Sequence, residues 1–377
     1  MKTIAAEIAA RHADEVDREA RFPHETIDAL KEVGALSALV PAELGGRGES
    51  IAEVAAACFE LGRKCGSAAM VFAMHQIQVA CIVRHRGDSE WFANYLKELA
   101  SAQRLIASAT SEVGTGGDMS RSVAFLADEG ESLCSFEKKA PTVSYGNNAD
   151  DLFTTVRRSE HADGGDQVIA LTKNSQAALE QTGTWDPFGM RGTCSPGFII
   201  RANFPREQVL TEEFAIVSAQ TMVPVSHILW SHLWLGIATD AFDRARSFVR
   251  DSARQKPGQP VSAALRLSHL LVDLSLLRAH VESGLEDFRD VNGGFENEQS
   301  DTMARALRFN YLKIAASEQA PRVCQAAMSV CGIVGFKNDT PYSVGRHLRD
   351  SMSAAVMIAN ERIHQTNAAM LLVAKDV

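Results

Sequence analysis

The chain has 377 residues, 46% of them hydrophobic and 23% charged, and carries a net charge of −9 at neutral pH. A single core stops growing at about 250–300 residues, so two or three packed domains are expected. The acidic balance argues against nucleic acid or an anionic membrane as the main partner, but is compatible with a local basic site for an anionic cofactor.

Met1 to Arg21 alternates Ala and Ile with Glu, Arg and Asp and lacks the unbroken apolar core of a signal peptide. No stretch is expected to reach the roughly 18 uncharged apolar residues of a membrane span. The seven cysteines, at 58, 65, 81, 134, 194, 324 and 331, form no C-x-x-C pair. Most lie in apolar helical stretches such as Ala55-Ala56-Ala57-Cys58 and read as buried thiols rather than metal ligands. No metal site is expected, and the implied compartment is reducing and cytoplasmic.

Residues 1–106 read as a helical domain. Asp14-x-x-x-Arg18 and the Ile27-Leu30-Val33 spacing suit amphipathic helices, and Phe22-Pro23-His24-Glu25 places a proline at a helix start. Pro41 to Gly48, with glycines at 45, 46 and 48, is a loop. An Ala-rich helix follows from about Ile51, and another runs from about Ala68 to Val83.

Over 107–211 the texture turns to β. Asp151–Val156, Gln167–Leu171 and Gly197–Ile200 are short β-type runs between Gly, Asn, Asp and Pro turns. No helical stretches separate them, which predicts an antiparallel barrel or sandwich rather than a parallel sheet. Residues 212–377 return to helix at roughly 222–255, 261–289, 301–330 and 346–373, with breaks at Asn292-Gly293-Gly294 and 337–341. The fold class is therefore α+β: a helical domain, a central antiparallel β-barrel-like domain and a C-terminal four-helix bundle. Apolar and small residues along 261–330, including Ala304, Ala306, Ala315 and Ala316, call for a partner surface.

Two segments suggest chemistry by residue type. Glycines at 114, 116 and 117 expose backbone N–H groups and allow a planar or phosphorylated ligand to approach. The run is not G-x-G-x-x-G and sits in no strand–loop–helix unit, so a dinucleotide fingerprint is disfavoured; alone, it also reads as an ordinary turn. Arg254 carries a permanent charge and a fork that suits pyrophosphate, or it is a solvated arginine near a helix end.

Five stretches in order resemble the acyl-CoA dehydrogenase family across nearly the whole chain. Leu39 to Gly48 is similar to its Val-Pro-Glu-Glu-Tyr-Gly-Gly-x-Gly turn, and Thr110 to Asp118 resembles its Thr-Glu-Pro-Gly-Ala-Gly-Ser-Asp loop. Gly189 to Ser195 resembles Gly-x-Arg-Gly-Ser. Arg254 to Gly258 resembles Arg-x-x-Phe-Gly, with Pro257 at the aromatic position. Gln325 to Gly335, followed by Tyr342 and Arg349-Asp350, resembles Gln-x-x-Gly-Gly-x-Gly-Tyr…Arg-Asp. The resemblance implies the acyl-CoA dehydrogenase fold and noncovalent FAD. It places Ser111, Gly114, Gly116, Gly117 and Asn360 along the flavin, with Val143, Ser144 and Tyr145 beside its ring. It also gives Arg254, Gln325 and Gly332 to the cofactor of a neighbouring subunit in a homotetramer, with a homodimer as second choice.

The resemblance fails at the catalytic base. Ile358 stands where the family carries its glutamate, and Leu233 stands approximately where isovaleryl-CoA-type members carry theirs. An aliphatic side chain cannot remove a proton. Substitute bases are Glu361, which shares a helix face with Ile358 at i+3 if the helix begins early enough, His232 beside the second position, and His75 in the helix lining the family's acyl pocket. Each is also readable as a surface glutamate or a hydrogen-bonded core histidine. Three functions follow: an FAD oxidoreductase acting on an acyl thioester of coenzyme A or a carrier protein, with relocated acid–base chemistry; a flavin monooxygenase or oxidase using O2 on the same fold; or a non-catalytic scaffold.

Overall fold

In the computed structural model of the chain, residues 4–130, 132–255, 257–258, 262–292 and 302–374 are described. Lys256 of the arginine motif and the expected break at Gly293-Gly294 lie outside them.

The first layer is helical: α1 (Ala10–Glu19), α2 (His24–Glu32), α3 (Ile51–Gly62), α4 (Gly66–His85) and α5 (Glu90–Ala102). Local chemistry sets their starts. Ser50 and Glu53 form a reciprocal capping box on α3, and Ser89 accepts the Phe92 amide hydrogen at 3.3 Å on α5. Helix α2 ends at Glu32, which leaves Val33 exposed while Ile27 and Leu30 are buried. Contrary to the expectation that no stretch resembles a span, α4 is long and apolar enough to cross a membrane. It is instead a core helix, buried along nearly all its length.

Seven strands follow among the described residues: β1 (Ile106–Ala109), β2 (Ala127–Asp128), β3 (Leu133–Ala140), β4 (Asp151–Arg157), β5 (Gln167–Lys173), β6 (Ala177–Gln181) and β7 (Phe198–Pro205). They form two sheets, ordered β1-β4-β5 and β2-β3-β7-β6. Most pairs are antiparallel, as expected. The exception is β1 on β4, which is parallel from Ile106 opposite Asp151 to Ala109 opposite Thr154. A parallel pair needs a long crossover, and here the glycine loop, β2 and β3 supply it.

The C-terminal part contains the short α6 (Phe214–Val217) and the long α7 (Val223–Gln255), α8 (Ala263–Asn292) and α9 (Thr302–Cys331), then α10 (Ile333–Phe336), α11 (Gly345–Met352) and α12 (Asn360–Leu371). The fourth bundle helix, expected as one element over 346–373, is broken: α11 stops at Met352, a turn follows, and α12 begins at Asn360. That break carries the missing base position. Helices α3 and α7 approach closely at Gly62 and Gly236, where a Cβ on Gly236 would lie 2.3 Å from the Phe59 carbonyl oxygen.

Candidate functional site

The glycine loop leaves β1 and turns back beneath β3. Gly114, Gly116 and Gly117 have φ of +98°, +63° and +84°, which glycine adopts without strain. Ser111 Oγ donates to the Thr142 carbonyl at 2.9 Å, tying the loop to the segment that contains Val143 and Ser144. Val143 is buried, its amide hydrogen bonded to Pro196 O at 3.0 Å, and Ser144 Oγ accepts from Ser195 Oγ at 3.0 Å.

A pair that the sequence reading missed holds the root of this loop. Glu112 is buried and accepts from Ser122 Oγ at 2.6 Å and from the amides of Val123 and Ala124 at 3.1 and 2.6 Å. Lys138 Nζ lies 3.6 Å from it and donates to Thr155 O and Oγ1 at 2.6 and 3.0 Å. Burial pushes Lys138 down to about 8 against the opposing pull of Glu112. A signal existed: in β3 the buried face is Cys134, Phe136, Lys138 and Ala140, so strict alternation points the lysine inward.

The start of α12 closes the other side. Ile358 has φ +50°, outside any helix, and Lys313 Nζ on α9 donates to its carbonyl and to Asn360 Oδ1, each at 2.7 Å. From the next residues, Arg362 donates to the Gly116 carbonyl. The structure thus brings Ser111, Gly116, Gly117, Val143 and Ser144 together with the Asn360–Arg362 turn. Left-handed glycines, hydroxyls and a guanidinium form a donor set that fits the phosphate and polar edges of a flavin nucleotide.

The candidate bases do not converge there. His75 is fully buried; its Nδ1 accepts the Ile106 amide hydrogen at 3.1 Å, and its Nε2 faces the Leu36 carbonyl at 2.7 Å. Both nitrogens are committed to backbone, and burial holds the ring neutral, down to about 4. His232 Nδ1 bonds Ile228 O of its own helix at 2.8 Å, and burial also lowers its pKa. Leu233 is buried, with its backbone against Gly62 of α3. Glu361 is exposed in the first turn of α12. That helix begins at Asn360, too late for Ile358 and Glu361 to share a helix face, so the condition for an i+3 pair is not met.

Arg254 is exposed at the end of α7 and pairs with Asp251 at 3.0 Å; Asp251 also accepts from Tyr342 Oη at 2.9 Å. Gln325 is exposed on α9, and Gly332, with φ +63°, caps the start of α10. These three stand apart from the loop's hydrogen-bond network and face outward. A cavity of about 880 Å³ opens on the β domain beside Val113, Val123, Phe125, Phe136 and Arg201. It contains none of the candidate catalytic side chains, so the site is placed by the bonded cluster instead.

Residues 1–103 match the acyl-CoA dehydrogenase N-terminal domain, and residues 218–369 match the acyl-CoA dehydrogenase C-terminal domain. Among curated proteins, the probable acyl-CoA dehydrogenase YngJ of Bacillus subtilis is 25% identical over 93% of this chain and 90% of its own. The probable FMNH2-dependent monooxygenase SfnC of Pseudomonas putida is 24% identical over 87% and 84%. Among solved structures, FMN-bound TdsC from Paenibacillus sp. A11-2 superposes with a TM-score of 0.85 at 19% identity, covering 98% of this chain and 96% of its own. KijD3 with FMN and a dTDP-sugar superposes with a TM-score of 0.84 at 22% identity, covering 98% and 91%. With both terminal domains matched and the three-part architecture in place, the chain belongs to the acyl-CoA dehydrogenase family and is a flavin enzyme of that fold.

Proposed function

We propose that this protein is a flavin-dependent monooxygenase that acts through dioxygen rather than through a carboxylate base. One observation carries the reading: the turn that should present a carboxylate presents Ile358, while His75 and His232 are bonded to backbone. A proton-abstracting dehydrogenase loses about 10²–10⁴ in rate without its base; oxygen chemistry does not need that group. A bound reduced flavin would supply two electrons to dioxygen, one oxygen atom going to the substrate and the other leaving as water. The chain's own residues then bind and orient: the Ser111–Gly117 loop and Arg362 grip the nucleotide, Val143 and Ser144 flank its ring, and the apolar Met357-Ile358 turn keeps water from the reacting face.

The cofactor proposed is FAD, supported by Arg254 and Gln325, both exposed; Arg254, held within its own subunit only by a surface pair with Asp251, would serve a second copy's pyrophosphate. Assembly as a homotetramer is proposed on the same ground. It is supported by the outward face of α8, where Leu265 and Leu276 are 68% and 63% exposed. The second reading, oxidation of an acyl thioester with Glu361 as a relocated base, is favoured by relatives such as YngJ, whose name is that of an acyl-CoA dehydrogenase.

The deciding experiment is anaerobic mixing of the flavin-loaded protein with acyl-CoA thioesters, followed by oxygen-electrode assays with NAD(P)H and a flavin reductase. No bleaching by thioesters, with oxygen consumption dependent on reduced flavin, is expected. Rapid bleaching by a saturated acyl-CoA would overturn the monooxygenase reading. Extraction and chromatography of the bound flavin separates FAD from FMN.

A further inference from the structure

Lys313 is a buried amine that the proposed chemistry does not use. It lies midway along α9 and is fully buried. Its Nζ donates to the Ile358 carbonyl and to Asn360 Oδ1, both on the turn ahead of α12 and both at 2.7 Å. The carboxylate that acts on it is Glu318 of the same helix, whose closest bond comes from Asn360 Nδ2 at 3.4 Å. The facing titratable group on α7 is His227, which burial holds neutral and which bonds Phe309 O at 2.9 Å. An ammonium buried against carbonyl oxygens instead of a carboxylate is costly to fold around. Its hydrogen bonds are therefore the place to look for what it does.

Two further rungs flank it. Asn310 Nδ2 donates to Asn367 Oδ1 at 2.7 Å, and Ser317 Oγ exchanges bonds with the Asn360 amide at 3.0 and 3.2 Å. Positions 310, 313 and 317 fall on one helix face. The result is a buried polar ladder from α9 to the segment 358–367, crossing an otherwise apolar packing layer. Its middle rung holds the carbonyl of the one residue in that segment with a left-handed backbone, Ile358 at φ +50°. A β-branched residue is rarely found there and persists only where its surroundings over-determine it.

We infer that Lys313 is a positioning residue: its two hydrogen bonds hold the Ile358–Asn360 turn with Ile358 in its left-handed conformation and so set where Arg362 stands against the glycine loop. The functional half of this inference rests on the flavin reading above; the structural half does not.

Lys313→Met preserves the stem and removes the donors. Hydrogen exchange read by mass spectrometry on the full chain should show amides of 356–362 exchanging about tenfold faster in the variant, the loss expected for charge-assisted bonds. Exchange in the rest of α9 should be unchanged. FAD titration should show about tenfold weaker binding for the variant. Equal exchange at 356–362 overturns the inference, and so does faster exchange along all of α9, because Lys313 would then be a general packing residue. Equal FAD affinity despite a loosened turn overturns its positioning role at the site. A wild-type protein that binds no flavin removes the flavin reading and leaves the exchange data to decide the lock. Should Lys313→Met fail to fold, Asn360→Ala removes the second acceptor from a partly exposed position and must loosen the same amides.

Discussion

Asp350 accepts the Met190 amide hydrogen at 2.7 Å, joining points 160 residues apart in the chain. Beside it, Arg349 pairs with Asp17 of α1, and Arg346 bonds Asp14 at 2.9 Å. Arg191 reaches the Asp17 carbonyl at 2.8 Å from the β domain. The Arg-Asp and Gly-Met-Arg-Gly motifs are therefore one staple across all three parts of the fold. Arg191, Arg346 and Arg349 each bond a residue of α1.

The staple gives a stability prediction. A Cβ on Gly189 would lie 2.0 Å from the Arg349 carbonyl oxygen, a backbone atom that cannot swing away. Gly189→Ala should lower unfolding free energy by about 1–3 kcal/mol or more, as overpacking does. Urea denaturation checks this, and an unchanged midpoint would mean the junction is loose.

Acid should destabilise the fold through histidines buried neutral. Burial holds His75 and His85 down to about 4 and His227 down to about 3, below their ordinary 6.5. The unfolded chain binds these protons first, so the stabilisation is complete above pH 6.5 and is lost as pH falls toward 4 and below. Each contributes a slope of up to about 1.4 kcal/mol per pH unit. Asp350, pushed up to about 6 by burial, works in the opposite sense between its ordinary value and 6. Thermal melts from pH 7 to 4 should fall, and His75→Gln should flatten the fall if it folds.

Installing the family's carboxylate tests the chemistry of the turn. Ile358→Glu should create measurable α-proton exchange from an acyl-CoA where wild type shows none, read by deuterium wash-in. Glu361→Gln should leave turnover within about twofold; a drop of 10² or more would make Glu361 the base after all.

Cofactor grip should divide between side chains of two kinds. Arg362→Ala removes the guanidinium at Gly116 and should weaken flavin binding by about 10–100-fold within each subunit. Arg254→Ala should weaken it in the assembled oligomer alone, since its bond within the subunit runs to Asp251. Flavin fluorescence titration at protein concentrations above and below the assembly midpoint separates the two. Equal loss for Arg254→Ala at both concentrations would place that arginine in its own subunit's site.

The three-part architecture was legible in the sequence, because amphipathic periods and turn residues are local properties that each segment carries by itself. So were the glycine loop and the aliphatic residue at the base position, since backbone freedom and lack of a proton acceptor belong to residue type. The fate of His75 was not legible: its sequence neighbours are Met74 and Gln76, while its two partners lie at Leu36 and Ile106. The same holds for Glu112 with Lys138, for Asp350 with Met190, and for Lys313 with Ile358. Helix α12 begins two residues after Ile358, a boundary decided by bonds from a helix about 45 residues earlier. Local sequence sets which backbone shapes are cheap; which polar groups end up buried together depends on long-range packing, and in this protein that packing decides where the site's side chains stand.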